Sequence, residues 1–272
     1  MIKRTAALLL AALLLGSCGQ RKAEYVPDEE IIEIEEIEDI EDTEQAPETE
    51  VIENLYVQES PLSGKLICID PGHCVFSSNY QEPMAPGSGT KKSAFVSGTA
   101  GAVYTEEQLN LIVGLKLEER LINSGATVIM TRRTAQSDLS NVGRAQLANE
   151  AGADLVVRLH ADGSENHSVS GMSMLIPTSD YISDPELIAK SRRAGELILQ
   201  QAAESTGARS LGLSPRSDMT GFNWSEVPVV LLEMGFMTNA EEDRLLSTEE
   251  YQDRIVDGIV SGLELYFAEE LI

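Results

Sequence analysis

The chain has 272 residues, 42% of them hydrophobic, so it is long enough to bury one sizeable core. Its 45 acidic side chains outnumber the 20 basic ones. This excess of negative charge argues against a nucleic-acid-binding protein, which needs a basic surface to displace the counterions of phosphate groups.

The N-terminus has the pattern of an export signal followed by a lipidation site. Lys3 and Arg4 precede an apolar run over residues 5–15, which is too short to cross a bilayer of ~30 Å as a helix. The letters LGSC that follow match a bacterial lipobox ending at Cys18. We therefore expect residues 1–17 to be a signal peptide, and Cys18 to carry lipid that anchors the exported protein to a membrane of the cell envelope.

Residues 18–62 are predicted to form an acidic, disordered tether. The segment is dominated by Glu, Asp and Ile and carries more than half of the net negative charge. Isoleucines recur at every third position over 31–40, which would allow a transient helix, but the like charges around them repel one another. We expect this tether to hold a folded domain, residues 63–272, away from the membrane.

From Lys65 onward, short apolar segments alternate with amphipathic ones, which is the pattern of an α/β fold. The apolar segments are rich in Val, Ile and Leu and nearly unbroken, as in strands covered on both faces. We predict a single domain with a twisted, mostly parallel or mixed β-sheet flanked by helices on both faces. Strands are predicted at 65–70, 127–131, 154–160, 171–177 and 227–235, and helices at 105–125, 141–152, 184–207 and 247–267.

Residues 74–104 interrupt this alternation with a long stretch rich in Gly, Ser and Pro. A loop of this length inside a compact domain is usually functional or disordered, and its position directly after His73 favours a function. Cys68 and Cys74 lie nearby, and two cysteines are too few for a disulfide framework. We expect both to be free thiols, with a bridge between them as the alternative.

Titratable side chains stand where predicted strands end. His73 follows the first strand on a Pro-Gly turn, His160 ends the third strand, and Glu233 lies near the end of the last one. Ligands of open α/β sheets bind outside the carboxyl ends of strands, so parallel strands would bring these residues to one edge. Glu106 or Glu107, at the start of the first helix, can reach the same edge.

Two histidines and a carboxylate are a common zinc-binding set that leaves a position open for water. A carboxylate that does not bind the metal can then act as general base and later as general acid. These residues are far apart in sequence, so spacing alone does not show that they bind a metal. His73 could instead cap a helix or hydrogen-bond a carbonyl in its own loop, and His160 could be an ordinary histidine at the end of a strand. Glu233 lies in strongly apolar surroundings, where an unpaired carboxylate is costly, and this favours a function. His167 lies in a polar loop and is expected to face solvent or substrate.

Five motifs of the chain resemble, in their order, those of the zinc-dependent N-acetylmuramoyl-L-alanine amidases of the type 3 amidase family. They are IDPGH, TEEQLNL, VVRLHADGS, SVSG and VPVVLLEMGFMTNAEEDRLL, and they cover about residues 65–267. The resemblance implies one Zn²⁺ ion held by His73, Glu106 and His160, with Glu233 as the catalytic glutamate. It selects Glu106 over Glu107.

The resemblance also implies a reaction, hydrolysis of the amide bond between N-acetylmuramic acid and L-alanine in peptidoglycan. The biological setting would be cell-wall remodelling or daughter-cell separation, and residues 63–272 would be the catalytic domain. A protein activator is a further candidate partner. The ligand set alone would also suit another zinc peptidase acting on stem peptides, and a non-catalytic wall-binding lipoprotein is a third interpretation.

The chain departs from the family pattern beside the first ligand. Cys74 and Val75 stand where the family often has two glycines, and Asp162 stands where asparagine is common. We expect these changes to affect substrate preference rather than activity. Cys74 as an additional zinc ligand is a minor alternative.

One segment, residues 214–226, is expected to form a wall of the substrate groove. It carries Arg216, Asn223 and Trp224 as candidate substrate-binding residues, and Arg216 would meet a carboxylate of the stem peptide. Core packing explains Trp224 equally well. The 74–104 segment is expected to form a second wall.

Overall fold

The structure is a computed structural model and describes residues 60–76 and 78–269. The predicted signal peptide, Cys18 and residues 19–59 of the predicted tether lie outside the described residues. Leu62, the last residue of the predicted tether, is fully buried in the core. None of the helices in the described ranges is long and apolar enough to cross a membrane.

Six of the strands form one central sheet, and the other two form a separate hairpin. The strands are β1 (Leu66–Pro71), β2 (Gln81–Pro83), β3 (Lys91–Ser93), β4 (Thr127–Met130), β5 (Leu155–Asp162), β6 (Met172–Pro177), β7 (Ser210–Arg216) and β8 (Val229–Phe236). The order in the sheet is β4-β1-β5-β8-β6-β7, and β2 pairs with β3. All neighbours in the sheet are parallel except β6 and β8, which are antiparallel.

The four predicted helices are present, and two short helices accompany them. They are α1 (Glu106–Asn123), α2 (Asn141–Ala151), α3 (Pro185–Thr206), α4 (Thr220–Asn223), α5 (Ala240–Leu246) and α6 (Glu249–Glu269). Local sequence explains where they begin and end. Asp184 caps α3 by accepting from the backbone N–H of Glu186, with Pro185 at the first helical position, and Gly207 ends it in the left-handed conformation.

Alternate residues of the strands serve two separate hydrophobic cores. Ile67 and Val157 belong to the core formed with α1, α3 and α6, whereas Cys68 and Val156 belong to the core formed with α2 and α4. This period of two is what a strand requires when both of its faces are covered. Helices therefore cover both faces, and the prediction of a single α/β domain with a mixed, mostly parallel sheet is confirmed.

Candidate active site

The parallel strands bring the predicted site residues to one edge of the sheet. His73 follows β1, His160 lies on β5 and Glu233 lies on β8, where it is the sheet partner of His160. Glu106 is the first residue of α1. Its neighbour Glu107 points elsewhere and accepts a hydrogen bond from the Thr105 hydroxyl. The sheet topology thus assembles the four residues that the family resemblance selects.

His73, Glu106 and His160 offer three potential ligand atoms within 4.8 Å of one another. Glu106 Oε1 lies 3.0 Å from His73 Nε2 and 2.9 Å from His160 Nδ1. Ligands at ~2.0–2.1 Å from a tetrahedral zinc ion are separated from one another by about 3.3 Å. The donor types and their spacing therefore fit a zinc ion.

The hydrogen bond of the His73 ring fixes which nitrogen is available. His73 Nδ1 lies 2.7 Å from the carbonyl oxygen of Val96. Because a carbonyl can only accept, Nδ1 must donate, so Nε2 is the nitrogen that faces Glu106. Nε2 is hydrogen-bonded to Glu106 here, and in the neutral ring with Nδ1 protonated it would be the atom that binds a metal ion. A hydrogen bond within the loop and a role as ligand are thus compatible for His73.

The turn that carries His73 is strained and tightly packed. His73 has a φ of 59° and is the one non-glycine residue with positive φ in the described part of the chain. Such backbone strain is typical of functional sites. A Cβ at the preceding Gly72 would lie 2.3 Å from the His160 ring, so only glycine allows this turn to approach the second histidine.

Two buried arginines, which the sequence analysis did not identify, hold this turn by its backbone. Arg132 donates from Nε to the carbonyl of Pro71 and from Nη2 to that of Gly72, both at 2.9 Å. Arg144 donates from Nη1 to Pro71 and from Nη2 to the carbonyl of His73, also at 2.9 Å. The backbone around His73 is therefore positioned by guanidinium groups from outside its own loop.

Glu106 is an ionised carboxylate. Burial alone would raise the pKa of Glu106, but hydrogen bonds with His160 and His73 hold that pKa well below its usual range. The backbone N–H groups of Thr99 and Ala161 also donate to its oxygens, at 2.9 and 3.2 Å. Burial lowers the pKa of His160, which favours the neutral imidazole that a metal ligand requires.

The pKa of Glu233 is shifted in the opposite direction to that of Glu106. Burial raises the pKa of Glu233 well above its usual value, and the negative charges of Glu106 and Asp162 add to the effect. Its Oε2 atom is buried and has no hydrogen-bond partner among the described residues. A carboxyl group with a raised pKa and a free oxygen beside the cluster of His73, Glu106 and His160 is suited to accept and release a proton.

Two clefts meet at the histidine pair, since His73 and His160 line both of them. The first, called here the open cleft, has a volume of about 590 Å³ and also contains Glu106, Glu233, Asp162 and His167. The second, the hairpin cleft, has a volume of about 200 Å³ and is bounded by residues 92–96 and 219–221. The cluster is thus accessible from two sides.

The three candidate substrate-binding residues line neither cleft. Arg216 forms a double hydrogen bond with Asp218, at 2.8 and 2.9 Å, although its charge still acts on Glu233. Asn223 is 4% exposed and donates to the carbonyl oxygens of Ser217 and Met84. Within the predicted wall formed by residues 214–226, residues 219–221 line the hairpin cleft instead.

Trp224 and the nearby cysteines have structural partners. Trp224 Nε1 donates to the carbonyl of Pro83 in β2 at 2.9 Å, so the indole ties the hairpin to α4. Cys68 and Cys74 are both free thiols, as expected. Cys74 Sγ donates to the carbonyl of Ser137 at 3.2 Å, and the ligand cluster does not include it.

The chain is similar to known amidases over most of its folded part. N-acetylmuramoyl-L-alanine amidase LytC of Bacillus subtilis is 27% identical over 209 residues, which cover 77% of this chain and 37% of that protein. N-acetylmuramoyl-L-alanine amidase Rv3717 of Mycobacterium tuberculosis is 25% identical over 236 residues, which cover 83% of this chain and 95% of that protein. The crystal structure of the N-acetylmuramyl-L-alanine amidase Ami1 from Mycobacterium smegmatis matches with a TM-score of 0.70 and 26% identity, over 77% of this chain and 100% of that one.

A sequence model of one enzyme family covers nearly the whole domain. The N-acetylmuramoyl-L-alanine amidase family, Amidase_3, matches residues 67–265, a range that contains His73, Glu106, His160 and Glu233. The fold, the assembled cluster and the relatives agree with this match. The chain therefore belongs to the Amidase_3 family of N-acetylmuramoyl-L-alanine amidases.

Proposed function

We propose that this amidase depends on zinc and hydrolyses the amide bond between the lactyl group of N-acetylmuramic acid and the L-alanine of the peptidoglycan stem peptide. One observation carries the proposal. His73, Glu106 and His160 present donor atoms around a single point, and the free Oε2 of Glu233 belongs to the same open cleft. The amidases to which the chain is similar support the choice of bond.

In the proposed reaction, the protein's own groups orient the metal ligands and move one proton. A zinc ion held by His73, Glu106 and His160 would activate a water molecule and polarise the scissile carbonyl. Glu233 accepts the proton of the attacking water at Oε2 and delivers it to the nitrogen of the departing L-alanine. The raised pKa of Glu233, caused first by burial, suits both the uptake and the release of that proton.

Substrate contacts are a second part of the proposal. Arg216 is proposed to face the stem peptide, because Asp218 fixes its guanidinium and its positive charge acts on Glu233. Asn223 and Trp224 are proposed to act on substrate through the hairpin that they hold, since their polar atoms already bond to Met84 and Pro83.

Digestion of purified peptidoglycan, with and without a chelator, tests the proposal. An amidase frees the amine of L-alanine and leaves muramic acid intact, whereas a stem-peptide peptidase cuts between amino acids, and mass analysis of the fragments separates the two. His160→Ala should lose zinc and activity together. Glu233→Gln should keep zinc but lose at least 100-fold in kcat, the order expected for removing a general acid-base group. A fully active Glu233→Gln enzyme would show that another group moves the proton.

We also propose that the protein is exported and anchored in the cell envelope by lipid on Cys18, with residues 19–59 as a tether, because Leu62 is buried in the core. The apolar run before Cys18 and the acidic composition after it support this. In a bacterium that lipidates exported proteins, the wild type should sediment with membranes and Cys18→Ser should not. Equal membrane association of both proteins would contradict the anchor.

A further inference from the structure

Arg158 of β5 is a buried cation with unused donors. It is 4% exposed, and its Nε donates to Asp70 Oδ2 at 2.7 Å. In the described residues, neither Nη1 nor Nη2 of Arg158 has a hydrogen-bond partner. Neither Nη atom is among the fully buried atoms without a partner in the described residues, so each keeps some contact with a cavity. A guanidinium remains charged under all ordinary conditions, and such donors can bind an anionic ligand.

Arg158 is one of three buried arginines in this part of the molecule. Arg132, Arg144 and Arg158 are each at least 95% buried, being 4%, 5% and 4% exposed. Within the described ranges, Asp70 is the one carboxylate in ion-pair contact with any of them. Burial alone would raise the pKa of Asp70, but Arg144 and Arg158 hold it well below its usual range, so Asp70 is a single negative charge. Arg144 and Arg158 therefore share a single carboxylate as their ion-pair partner.

Arg158 lies between two cavities, the hairpin cleft and a smaller one of about 10 Å³ that Asp70 and Arg144 also line. Arg158 lines the hairpin cleft together with His73 and His160. Arg158 and His160 are two residues apart on the same face of β5, a distance of about 7 Å along the strand. Phe95 and Met219 provide apolar walls that reduce solvent competition for the guanidinium.

The opposite wall approaches the guanidinium closely. A Cβ at Gly221 of α4 would lie 2.2 Å from Arg158 Nη1, so a larger residue there would displace the guanidinium. The backbone of α4 is in turn fixed by Asn223, whose amide bonds to Ser217 and Met84. The shape of the cleft around Arg158 is therefore set by the packing of α4 and the hairpin.

We propose that the hairpin cleft is a carboxylate-binding subsite, in which Nη1 and Nη2 of Arg158 bind a free carboxylate on the stem-peptide residue that follows L-alanine. This inference rests on the proposed amidase function. Two extended residues span about 7 Å, which matches the separation of Arg158 from His160 along β5. Paired donors of one guanidinium bind carboxylate with defined geometry, so the subsite selects substrates by the charge of that residue.

A pair of synthetic substrates tests the proposal on the wild-type protein. Both are N-acetylmuramoyl-L-alanyl-γ-D-glutamyl-L-lysine amides, one with the glutamyl α-carboxylate free and one with it converted to a carboxamide. We expect a kcat/KM about 10- to 100-fold higher for the carboxylate, the range measured for hydrogen bonds to charged groups. Equal values for the two substrates would overturn the subsite. Failure to cleave either one would instead count against the proposed function.

Variants assign the preference to Arg158. Arg158→Gln should make the kcat/KM values of the two substrates equal, and Arg158→Lys should keep a part of the preference, because a lysine retains the charge without the paired donors. Arg133→Gln is the matched control, since Arg133 is exposed and pairs with Glu118 at the surface. The control should keep the full preference, and loss of the preference there would overturn the assignment to Arg158.

Binding to the metal-free protein gives a readout that needs neither catalysis nor a folded variant. The peptide L-alanyl-γ-D-glutamyl-L-lysine amide and its α-carboxamide form would be titrated calorimetrically into wild-type protein treated with a chelator. The carboxylate form should bind at least 10-fold more tightly than the carboxamide form. Equal affinities, or no binding of either peptide, would overturn the proposed subsite.

Discussion

Gly72 shows how a single residue without a side chain determines the geometry of the site. It precedes His73, and a Cβ there would lie 2.3 Å from the His160 ring. We predict that Gly72→Ala displaces that ring, since the backbone of the turn is held by Arg132 and Arg144. A displacement near 1 Å costs roughly 10²-fold in rate. Zinc per chain, measured by mass spectrometry, and kcat should both fall while the circular dichroism spectrum stays unchanged.

Gly89 provides the control for this substitution. A Cβ at Gly89 meets no atom within 4 Å, so Gly89→Ala should keep wild-type zinc content and rate. If Gly72→Ala matched Gly89→Ala in both measurements, the close approach of the turn to His160 would have no functional consequence.

Asp70 is a second residue whose effect extends beyond its own contacts. Its carboxylate accepts from Thr131, Arg144 and Arg158, all at 2.6–2.7 Å. We predict that Asp70→Asn lowers the free energy of unfolding by about 3–5 kcal/mol at pH 7, because it leaves two buried guanidinium groups without their counter-charge. Urea denaturation measures this loss. Asp253→Asn, which removes the half-exposed partner of Lys116, should cost about 0–1 kcal/mol.

The ionisation of Asp70 should also make the stability of the folded protein depend on pH. The pKa of Asp70 is lower in the folded chain than the value of ~3.9 expected when unfolded, because Arg144 and Arg158 outweigh its burial. Its stabilising contribution is therefore complete above pH ~4 and is lost as the pH falls towards the folded pKa. The stability difference between wild type and Asp70→Asn should shrink between pH 5 and pH 3. A constant difference over that range would contradict the assigned ionisation.

Some of these residues could be predicted from the sequence and others could not, for a physical reason. His73, His160 and Glu233 stand out because they follow apolar strands, where a polar side chain needs an explanation. Arg144 and Arg158 do not stand out, because a charged residue in a helix or strand pattern normally faces solvent. Their burial depends on Asp70 and on backbone carbonyls from a distant turn, which no local pattern reveals.

At the scale of elements, the β2–β3 hairpin was hidden in the predicted loop 74–104. Each strand has three residues and is mostly polar, so neither hydrophobic periodicity nor length could predict them. Contacts with other elements fix the hairpin instead. Glu82 accepts from the backbone N–H of Val142 in α2, and Trp224 donates to Pro83. The hairpin is thus specified by tertiary structure.

We predict that Trp224→Phe loosens this hairpin. Loss of the indole N–H leaves the Pro83 carbonyl without its donor and should reduce stability by about 1 kcal/mol. Trypsin should then cleave faster after Lys91, an exposed residue of β3, and KM should rise more than kcat falls. Tyr181→Phe, at a side chain that is 43% exposed, is the control. Unchanged cleavage after Lys91 in Trp224→Phe would show that the hydrogen bond does not hold the hairpin.

At the scale of the whole molecule, the alternation of strands and helices was enough to predict the fold class, but not every strand or its direction. β6 runs antiparallel to β8, yet its sequence is as apolar as that of the parallel strands. The hydrophobic pattern of a strand indicates only how far the strand is buried. A strand covered on both faces has the same pattern whether it runs parallel or antiparallel to its neighbour. The edge strand β7 contains Gly212 and Pro215 and is only partly buried, so its sequence lacks the strand pattern altogether.

The proposed metal site joins parts of the molecule that are distant in sequence. His73 lies in the turn after β1, Glu106 opens α1 and His160 lies on β5, so a shared ion would connect three elements. An unfolded chain cannot hold these ligands together, and any zinc that binds the folded state therefore stabilises it. Stability and the proposed catalysis should then depend on the same ion.

This coupling predicts a shift in thermal unfolding. At a free zinc concentration 100 times Kd, binding should add about 2.7 kcal/mol and raise Tm by roughly 5–10 °C relative to chelated protein. Scanning calorimetry measures the shift. Glu106→Gln should largely abolish it, because that change removes the ionised ligand, whereas His167→Ala should preserve it, because His167 is exposed in the open cleft and outside the cluster. Equal Tm values with and without zinc, or loss of the shift in His167→Ala, would place the metal elsewhere.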